Sequence, residues 1–252
     1  MSRHIIPTRR RPWLGIALTG AVLVLAVFAA VAATTQGSGQ RASEVRPLGD
    51  FEALELAGPI KLIVRQAATP SVRVEADDNL LPLIETEVVG RGSRPTLRVR
   101  VRPGEHLRHR GSIVVTAEVV RLSSIASAGS GDIEVGTLNT PALKLSLAGS
   151  SDADLTGLTT ERFEISIAGS GDIRARGQAR ELELGIAGSG DADLDGLSAD
   201  AVRVRIAGSG DASVVANRSL TVSIAGSGDV RYRGSVAEVK SSVVGSGSVR
   251  RR

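Results

Sequence analysis

Ala168-Gly169-Ser170-Gly171-Asp172 is a stretch that this sequence uses repeatedly, and the spacing of its copies decides the fold. Five copies read Ala-Gly-Ser-Gly-Asp, one reads Ala-Gly-Ser-Ser-Asp, and the last has changed to Val-Gly-Ser-Gly-Ser. Successive copies lie 18 to 20 residues apart, a fixed period that is typical of solenoid proteins. We predict that the first glycine of each copy forms a structural turn. These glycines are Gly129, Gly149, Gly169, Gly188, Gly208, Gly226 and Gly245.

The residues between two copies alternate between apolar and polar, which predicts strands with one buried face. Before the copy at 168–172, residues 163–167 read Phe-Glu-Ile-Ser-Ile, and after it residues 173–175 read Ile-Arg-Ala. The two glycines allow a tight turn between these strands because glycine tolerates positive φ. One such coil buries too little apolar surface to offset its lost conformational entropy, so the coils must stack. We predict an all-β fold, a single-stranded parallel β-helix with coils of 18–20 residues, right-handed as parallel β crossovers generally are.

The aspartate that ends six of the seven copies is the main candidate for a ligand site. Stacked coils would place neighbouring carboxylates roughly 5 Å apart, where they repel one another unless hydrogen bonds or a cation offset the charge. The structural interpretation is a local N–H bond that closes the turn, and the functional one is calcium between coils. Calcium takes about six to eight oxygens and each corner offers one carboxylate, so we predict no metal and no other cofactor. The weak metal candidates are Asp132, Asp152, Asp172, Asp191, Asp211 and Asp229.

Charge and cysteine content exclude several classes of function. The chain has no cysteine, which excludes disulfides and cysteine-based catalysis. Its formal charge of +4 comes from four arginines in residues 1–33, where there is no acidic residue. Removing those four from the 31 basic residues leaves 27 against 27 acidic residues, so the rest of the chain is formally neutral. A neutral domain lacks a general basic footprint, and we predict no nucleic-acid partner.

The first 45 residues predict a leader and a linker. Residues 1–12 form a basic segment, and residues 13–33 form an uncharged run of 21 residues, enough to cross a bilayer core of about 30 Å. This run predicts either a transmembrane anchor or a signal peptide that is cleaved after small residues near its end. The arginines before it predict a cytoplasmic N-terminus and a domain beyond the membrane. Residues 34–45, rich in Gln, Gly and Ser, predict a flexible linker.

The remaining chain, residues 46–252, predicts one β-helical domain. Residues 46–126 alternate like strands but without the fixed period, so we interpret them as irregular first coils. Residues 127–249 hold the repeats. The first coils would have to protect the open end of the solenoid from pairing with other strands.

Here the sequence resembles a known family. Residues 51–66 (FEALELAGPIKLIVRQ), residues 72–75 (VRVE) and residues 79–81 (NLL), followed by the repeats from Ser127 onward, are similar to the head GIN domain of bacterial autotransporter adhesins. The resemblance covers about residues 46–248. It implies a bacterial envelope protein with a β-helical fold, without an established enzyme activity or defined catalytic residues.

These observations favour a non-catalytic module with a structural or adhesive role in the bacterial envelope. The membrane would hold it through residues 13–33, its domain would be periplasmic or extracellular, and its partner would be an envelope protein or a glycan. The alternative is an envelope β-helix protein that binds or cleaves polysaccharide. A focused cleft of acidic residues on one face would favour the alternative, and a uniform surface would favour the module.

Overall fold

The structure, a computed structural model, describes residues 33–90, 94–108 and 111–252. The predictions for residues 1–12, and for the hydrophobic run except Ala33, lie outside the described residues. About three-quarters of the described chain (73%) is β-strand, and none of its helical segments has the length and apolar character to span a membrane. The described residues form a β-solenoid of about six turns, which confirms the predicted fold class.

Five long strands form the repeats, and each covers almost a whole coil. They are β11 (Ile133–Gly149), β12 (Ala153–Gly169), β13 (Ile173–Gly188), β14 (Ala192–Gly208) and β15 (Ala212–Gly226). Each pairs in parallel with the next, so that Leu145 aligns with Ile165 and Ile165 aligns with Leu184. The sequence suggested a short and a long strand in each coil. The structure joins the two because the residues between them also pair with the neighbouring coils.

The core is a continuous column of apolar side chains along the inside of the coils. Alternate residues point inward, so Leu143, Leu145 and Leu147 are each at most 2% exposed while Lys144 between them is exposed. The next coil repeats the pattern with Phe163, the largest fully buried side chain. Each such aliphatic side chain contributes roughly 1.5–3 kcal/mol when fully buried. A one-residue slip would turn every one of them outward, so the pattern fixes the register between coils.

One coil of the same kind lies in the segment predicted to be irregular. It consists of β3 (Ala53–Ala57) and β4 (Ile60–Gln66), on which β10 (Ser124–Gly129) and the start of β11 stack in parallel. The register places residues 57–61, Ala-Gly-Pro-Ile-Lys, directly beneath the Ala-Gly-Ser-Gly-Asp copy at 128–132. The repeat therefore begins one coil earlier than its sequence signature, and β10 runs across the boundary drawn at residues 126 and 127.

The remaining N-terminal strands make the next coil outward and then a cap. Strands β7 (Thr96–Val101) and β9 (Ile113–Val119) pair in parallel with β3 and β4 on the side away from the repeats. Strand β6 (Ile84–Val89) then pairs antiparallel with β7, and β5 (Ser71–Asp77) pairs antiparallel with β9. A single 3-10 turn, η1 (Leu81–Leu83), lies between β5 and β6. These antiparallel strands end the parallel stack on this side.

Residues 34–45 are not the flexible linker that the sequence suggested. Strand β1 (Ala33–Gln36) pairs in parallel with β8 (Glu105–Arg108), and β2 (Arg41–Arg46) pairs antiparallel with β5. The connection between them is held by side chains, because Ser38 donates its backbone N–H to Asn79 Oδ1 at 2.9 Å. Small polar residues therefore form an ordered edge here.

At the other end of the described chain are three shorter strands. They are β16 (Asp229–Arg233), β17 (Glu238–Gly245) and β18 (Ser248–Arg251). Strands β16 and β17 pair in parallel with the two halves of β15, and β18 pairs with β16. Every residue of β17 is exposed.

Candidate functional site

The glycine corners are made by close contact between coils. Gly169 has φ +137°, and a Cβ built on it would lie 2.1 Å from the carbonyl oxygen of Gly149 in the coil below. That same oxygen accepts the backbone N–H of Ser170 at 2.9 Å. A side chain at this position would therefore both strain φ and break the inter-coil bond. All seven predicted turn glycines have positive φ, between +105° and +147°: Gly129, Gly149, Gly169, Gly188, Gly208, Gly226 and Gly245.

The aspartates of the repeat bond between coils and not within one corner. The Oδ1 atom of Asp152 accepts the backbone N–H of Asp172 at 2.8 Å, and Asp172 does the same for Asp191 at 2.9 Å. Asp191 and Asp211 continue the series to the following coils. The sequence suggested a local bond that closes each turn. The observed bonds instead extend the backbone ladder through side chains at a corner, so the carboxylates from Asp152 to Asp229 each tie one coil to the next.

The two ends of this aspartate ladder have different partners. At its last rung Asp229 Oδ1 accepts both the hydroxyl and the backbone N–H of Ser248, at 2.7 and 2.9 Å. The hydroxyl bond is the main reason that the pKa of Asp229 is lowered, with Arg250 and Arg231 adding to it. At the first coil Lys61 takes the place of the aspartate and pairs with Glu134 at 2.6 Å. That hydrogen bond, together with the charges of Glu134 and Asp132, raises the pKa of Lys61.

That these aspartates hold no metal stays a prediction. In residues 33–90, 94–108 and 111–252 no three His, Cys, Asp or Glu side chains are grouped as a metal site would require. Beside the first aspartates is an open hollow of about 240 Å³, lined by Asp132, Glu134, Asp152, Asp154, Asp172 and Arg174, with the start of two strands between them. Two of these acids already have partners, since Glu134 pairs with Lys61 and Asp152 accepts an N–H bond.

A second surface, on the outer side of the repeats, is formed by rows of paired charges. Arg162 contacts Glu181 and Arg180 contacts Glu161, both at 2.9 Å, and Arg218 lies 2.7 Å from Asp200. These pairs line two adjoining hollows of about 420 and 290 Å³, which we call the charged groove. The charged groove is recessed at Ala142, Ala201 and Ser219, because these short side chains line it between the long charged ones. Most of the charged side chains are more than half exposed, so each pair contributes little to stability.

The arrangement of these groups is poor for glycoside hydrolysis. Such enzymes need two carboxylates held about 5–10 Å apart, of which one is protonated at neutral pH. In the charged groove the carboxylates Glu161, Glu181 and Asp200 each form an ion pair with an arginine, so none of them stands as an unpaired acid. Aromatic platforms for sugar rings are also scarce among the described residues, since Phe51 and Phe163 are buried and Tyr232 is partly buried.

One buried polar pair was missed at the level of sequence. Ser127 and Ser151 are 5% and 0% exposed, and their hydroxyl oxygens are 2.9 Å apart. Ser127 occupies an inward position that is Leu147 in the next coil, and Ser151 stands where other corners have the second glycine. The sequence feature that could have indicated this pair is the single Ala-Gly-Ser-Ser-Asp copy, because its extra hydroxyl needs a hydrogen-bond partner once it is buried.

Comparison with known proteins agrees with this geometry. Residues 50–236 match the family described as "Putative auto-transporter adhesin, head GIN domain", and the chain belongs to this family. No curated protein sequence matches the chain. Solved structures with the same fold include a protein from Bacteroides fragilis, described as a putative adhesin, with a TM-score of 0.80 and 22% identity. The match covers 86% of this chain and all of that one.

Two structures from Parabacteroides extend the comparison. A protein of Parabacteroides merdae, described as a putative adhesin, is 25% identical with a TM-score of 0.69, over 88% of this chain and all of its own. A protein of Parabacteroides distasonis, described as a putative lipid binding protein, is 23% identical with a TM-score of 0.73, over 87% and 99% of the two chains. The resemblance noted in the sequence is thus confirmed, and the fold is shared by proteins with different descriptions.

Proposed function

We propose that this protein is a membrane-tethered, non-catalytic module that projects a rigid β-solenoid beyond the membrane of a bacterium, where it adheres to another envelope component or surface. Membership in a family described as adhesin heads carries the proposal. The residues before the described chain would supply the tether. The stacked coils would supply stiffness, because each coil is bonded to the next along its whole length.

The charged groove is the surface that best fits an adhesive role. Its arginines and acids are exposed at the ends of long side chains and repeat from coil to coil, so they can exchange partners with a charged or polar ligand. A contact of this kind is screened by salt, because exposed charges lose most of their interaction beyond about 8–10 Å at physiological ionic strength. We therefore expect adhesion to fall as salt is raised.

The tether and the side of the membrane are tested by cysteine labelling, which is simple because the chain has no cysteine of its own. Single variants Ser227→Cys, at an exposed corner, and Ser2→Cys, in the basic segment, are expressed in bacteria and exposed to a maleimide that cannot cross membranes. We expect Ser227→Cys to react in cells whose outer membrane has been opened but whose inner membrane is intact. Ser2→Cys should react only after lysis. Equal labelling of both before lysis would overturn the proposal.

Adhesion is tested with cells that carry the chain and matched cells that carry Arg162→Glu with Arg180→Glu. Both groups are measured for self-aggregation and for binding to an array of bacterial and host glycans. We expect the unaltered chain to increase either self-aggregation or glycan binding. The double variant should lose most of that increase, and added salt should reduce it. An unchanged result across the panel would overturn the adhesive role. Release of reducing ends from any arrayed polysaccharide would favour the enzyme alternative.

A further inference from the structure

The outward side chains of four neighbouring strands, β12 to β15, form one exposed surface that includes most of the charged groove. From Arg162 onward each residue of β12 lies beside its counterpart on the next three coils, so the four strands are in register. We call this surface the contact face. It consists of the outward side chains of residues 161–166, 180–185, 200–205 and 218–223.

The charges on the contact face balance overall but are separated along the solenoid. Strands β12 and β13 each present two acidic residues and one arginine, β14 presents one acidic residue and two arginines, and β15 presents one arginine. The first two strands therefore have a formal charge of −2 and the last two a charge of +2. A ligand of one sign would meet as much repulsion as attraction here. A surface with the same pattern in the opposite order would match every part of it.

We propose that the contact face binds the contact face of a second copy of this chain. The two solenoids would lie side by side and point in opposite directions, related by a two-fold axis that runs parallel to the strands between β13 and β14. Strand β12 of one copy then faces β15 of the other, and β13 faces β14, as in an isologous dimer. The second copy would be the surface to which the protein adheres, so this interface rests on the adhesive role proposed above.

Wherever two charged positions face each other across this axis, their charges are opposite. The facing combinations are Glu161 with Arg218, Arg180 with Asp200, and Glu183 with Arg203. Within one copy Glu161 already pairs with Arg180 at 2.9 Å, and Asp200 with Arg218 at 2.7 Å. The dimer would join these two pairs into a network of four charges, formed twice by symmetry, and networks stabilise more than single exposed pairs do.

The heights of the side chains also match, because long side chains face short ones. Arg162 and Glu181 are 65% and 59% exposed, and they would stand opposite Ser219 and Ala201 of the second copy, where the charged groove is recessed. Further along the strands Arg205 would stand opposite Gly185. The raised part of one copy can therefore enter the recess of the other.

Contacts within one chain do not account for the whole match. Strands β13 and β14 are neighbours, so their opposite charges also serve pairing between adjacent strands of one copy. Strands β12 and β15 are three coils apart, about 14 Å at the usual strand spacing, and do not pair with each other. Their opposite charges meet only when two copies come together.

The contact is small, which suits adhesion through many copies at once. Four coils and six residues along each strand cover roughly 400 Å² of each copy. The total is below the roughly 1,200–2,000 Å² of a standard stable interface, so we expect a dissociation constant of about 10–500 µM in solution. Many tethered copies on two cells would strengthen such a contact through multivalency.

The alignment of the two copies is tested by crosslinking full chains in a mild detergent. Ser166→Cys on β12 and Ser223→Cys on β15 would face each other across the axis, whereas each lies three coils away from the same position in the second copy. The chain has no other cysteine. We expect a short bis-maleimide to give a dimer mainly in a mixture of the two variants. Equal yields from the mixture and from each variant alone, as association through the leader would give, would overturn the interface.

Charge reversal gives an independent test by sedimentation equilibrium in the same detergent. Glu161→Arg and Arg218→Glu each place like charges opposite one another in a homodimer, so each should weaken self-association at least about tenfold. A mixture of the two variants restores opposite charges and should associate about as strongly as the unaltered chain. Arg176→Glu, on β13 before the corner at Gly177 and outside the contact face, is the matched control and should change nothing.

A mixture as weak as its components, or equal weakening by Arg176→Glu, would show that the contact face does not recognise itself. Neither measurement needs a cell or a membrane, so the interface and the adhesive role can fail separately. A chain that dimerises in detergent but leaves cells dispersed keeps the interface and contradicts adhesion through it. A chain that stays monomeric over the whole concentration range, while its cells bind glycans, contradicts the interface alone.

Discussion

At its first coils the solenoid is closed by antiparallel strands, and at its last coil it is not. The coil of β7 and β9 is covered by β5 and β6, and its inward residues Val99 and Val115 are completely buried. The last coil ends in β17, whose inward valines are about two-fifths exposed. Within the described chain the same repeating core is covered at one end and exposed at the other.

The difference shows that the repeat itself cannot finish a solenoid. A copy of the repeat always creates the edge on which the next copy would stack, so only a departure from the repeat can end the series. The described residues before the repeats contain that departure, with the antiparallel strands β5 and β6 and a 3-10 turn between them. The last 25 residues keep the parallel pairing to the end. Irregular sequence at the first end is therefore part of how the fold is stabilised.

The largest expected difference in stability is between two variants that place a carboxylate at opposite ends of the solenoid. Val74 on β5 is 0% exposed and packs beneath the cap, so Val74→Asp buries an acidic group without a designed partner and should cost at least about 3 kcal/mol. Val243→Asp should cost less than about 1 kcal/mol, because its carboxylate can reach water. Thermal and denaturant unfolding of the two variants measures both values. Similar losses would mean that the two ends are equally buried in solution.

A smaller difference is expected at the corners. In Gly188→Ala the new Cβ would lie 2.2 Å from the carbonyl oxygen of Gly169, between two coils that are both covered. In Gly245→Ala the same clash occurs with Gly226 at 2.1 Å, but the last coil can detach to relieve it. We expect Gly188→Ala to lower the free energy of unfolding by about 2–4 kcal/mol and Gly245→Ala to lower it by about 1 kcal/mol. In Gly245→Ala the backbone amides of β17 should exchange faster with solvent through local opening. Gly104 also has positive φ, but a Cβ built on it would meet nothing within 4 Å. Gly104→Ala therefore measures the cost of the backbone strain without the clash.

The smallest effect is a pH response at the open end. Because the folded pKa of Asp229 is lowered, its bonds to Ser248 stabilise the last strands above the ordinary value near 3.8. That contribution is lost as pH falls through the lowered folded pKa, which lies below about pH 4. We expect amide exchange in β18 to quicken in that range before exchange in β12 does. Asp229→Asn should abolish the pH step, while equal quickening of both strands would point to global acid unfolding.

Much of the fold could be predicted because the signature residues of the repeat are the ones that its geometry requires. Glycine is needed where coils touch, and the aliphatic alternation fixes the inward face. The repeat signature does not identify the corner at residues 57–61, because this corner keeps only Ala57 and Gly58 of the signature. Pro59, Ile60 and Lys61 stand in place of Ser, Gly and Asp. Pairing supplied by neighbouring coils holds it in register without the full signature.

Two other features could not be predicted from one sequence. Residues 34–45 have the composition of a linker, and only their pairing with β5 and β8 orders them. The direction of the aspartate bonds was also hidden, because a carboxylate can accept an N–H from its own turn or from the next coil. Which of the two wins depends on how closely the corners stack, and that distance is set by the glycines.

The residue-for-residue register between coils has a consequence for how this protein can change its length. Gly149 stands directly on Gly129 and beneath Gly169, in the same environment at each level. Excising residues 150–169, or duplicating them, would join one corner to an equivalent corner and leave both ends untouched. Its reach can therefore be altered in whole steps of about 4.8 Å, the spacing of adjacent strands, by a single in-frame recombination between repeats.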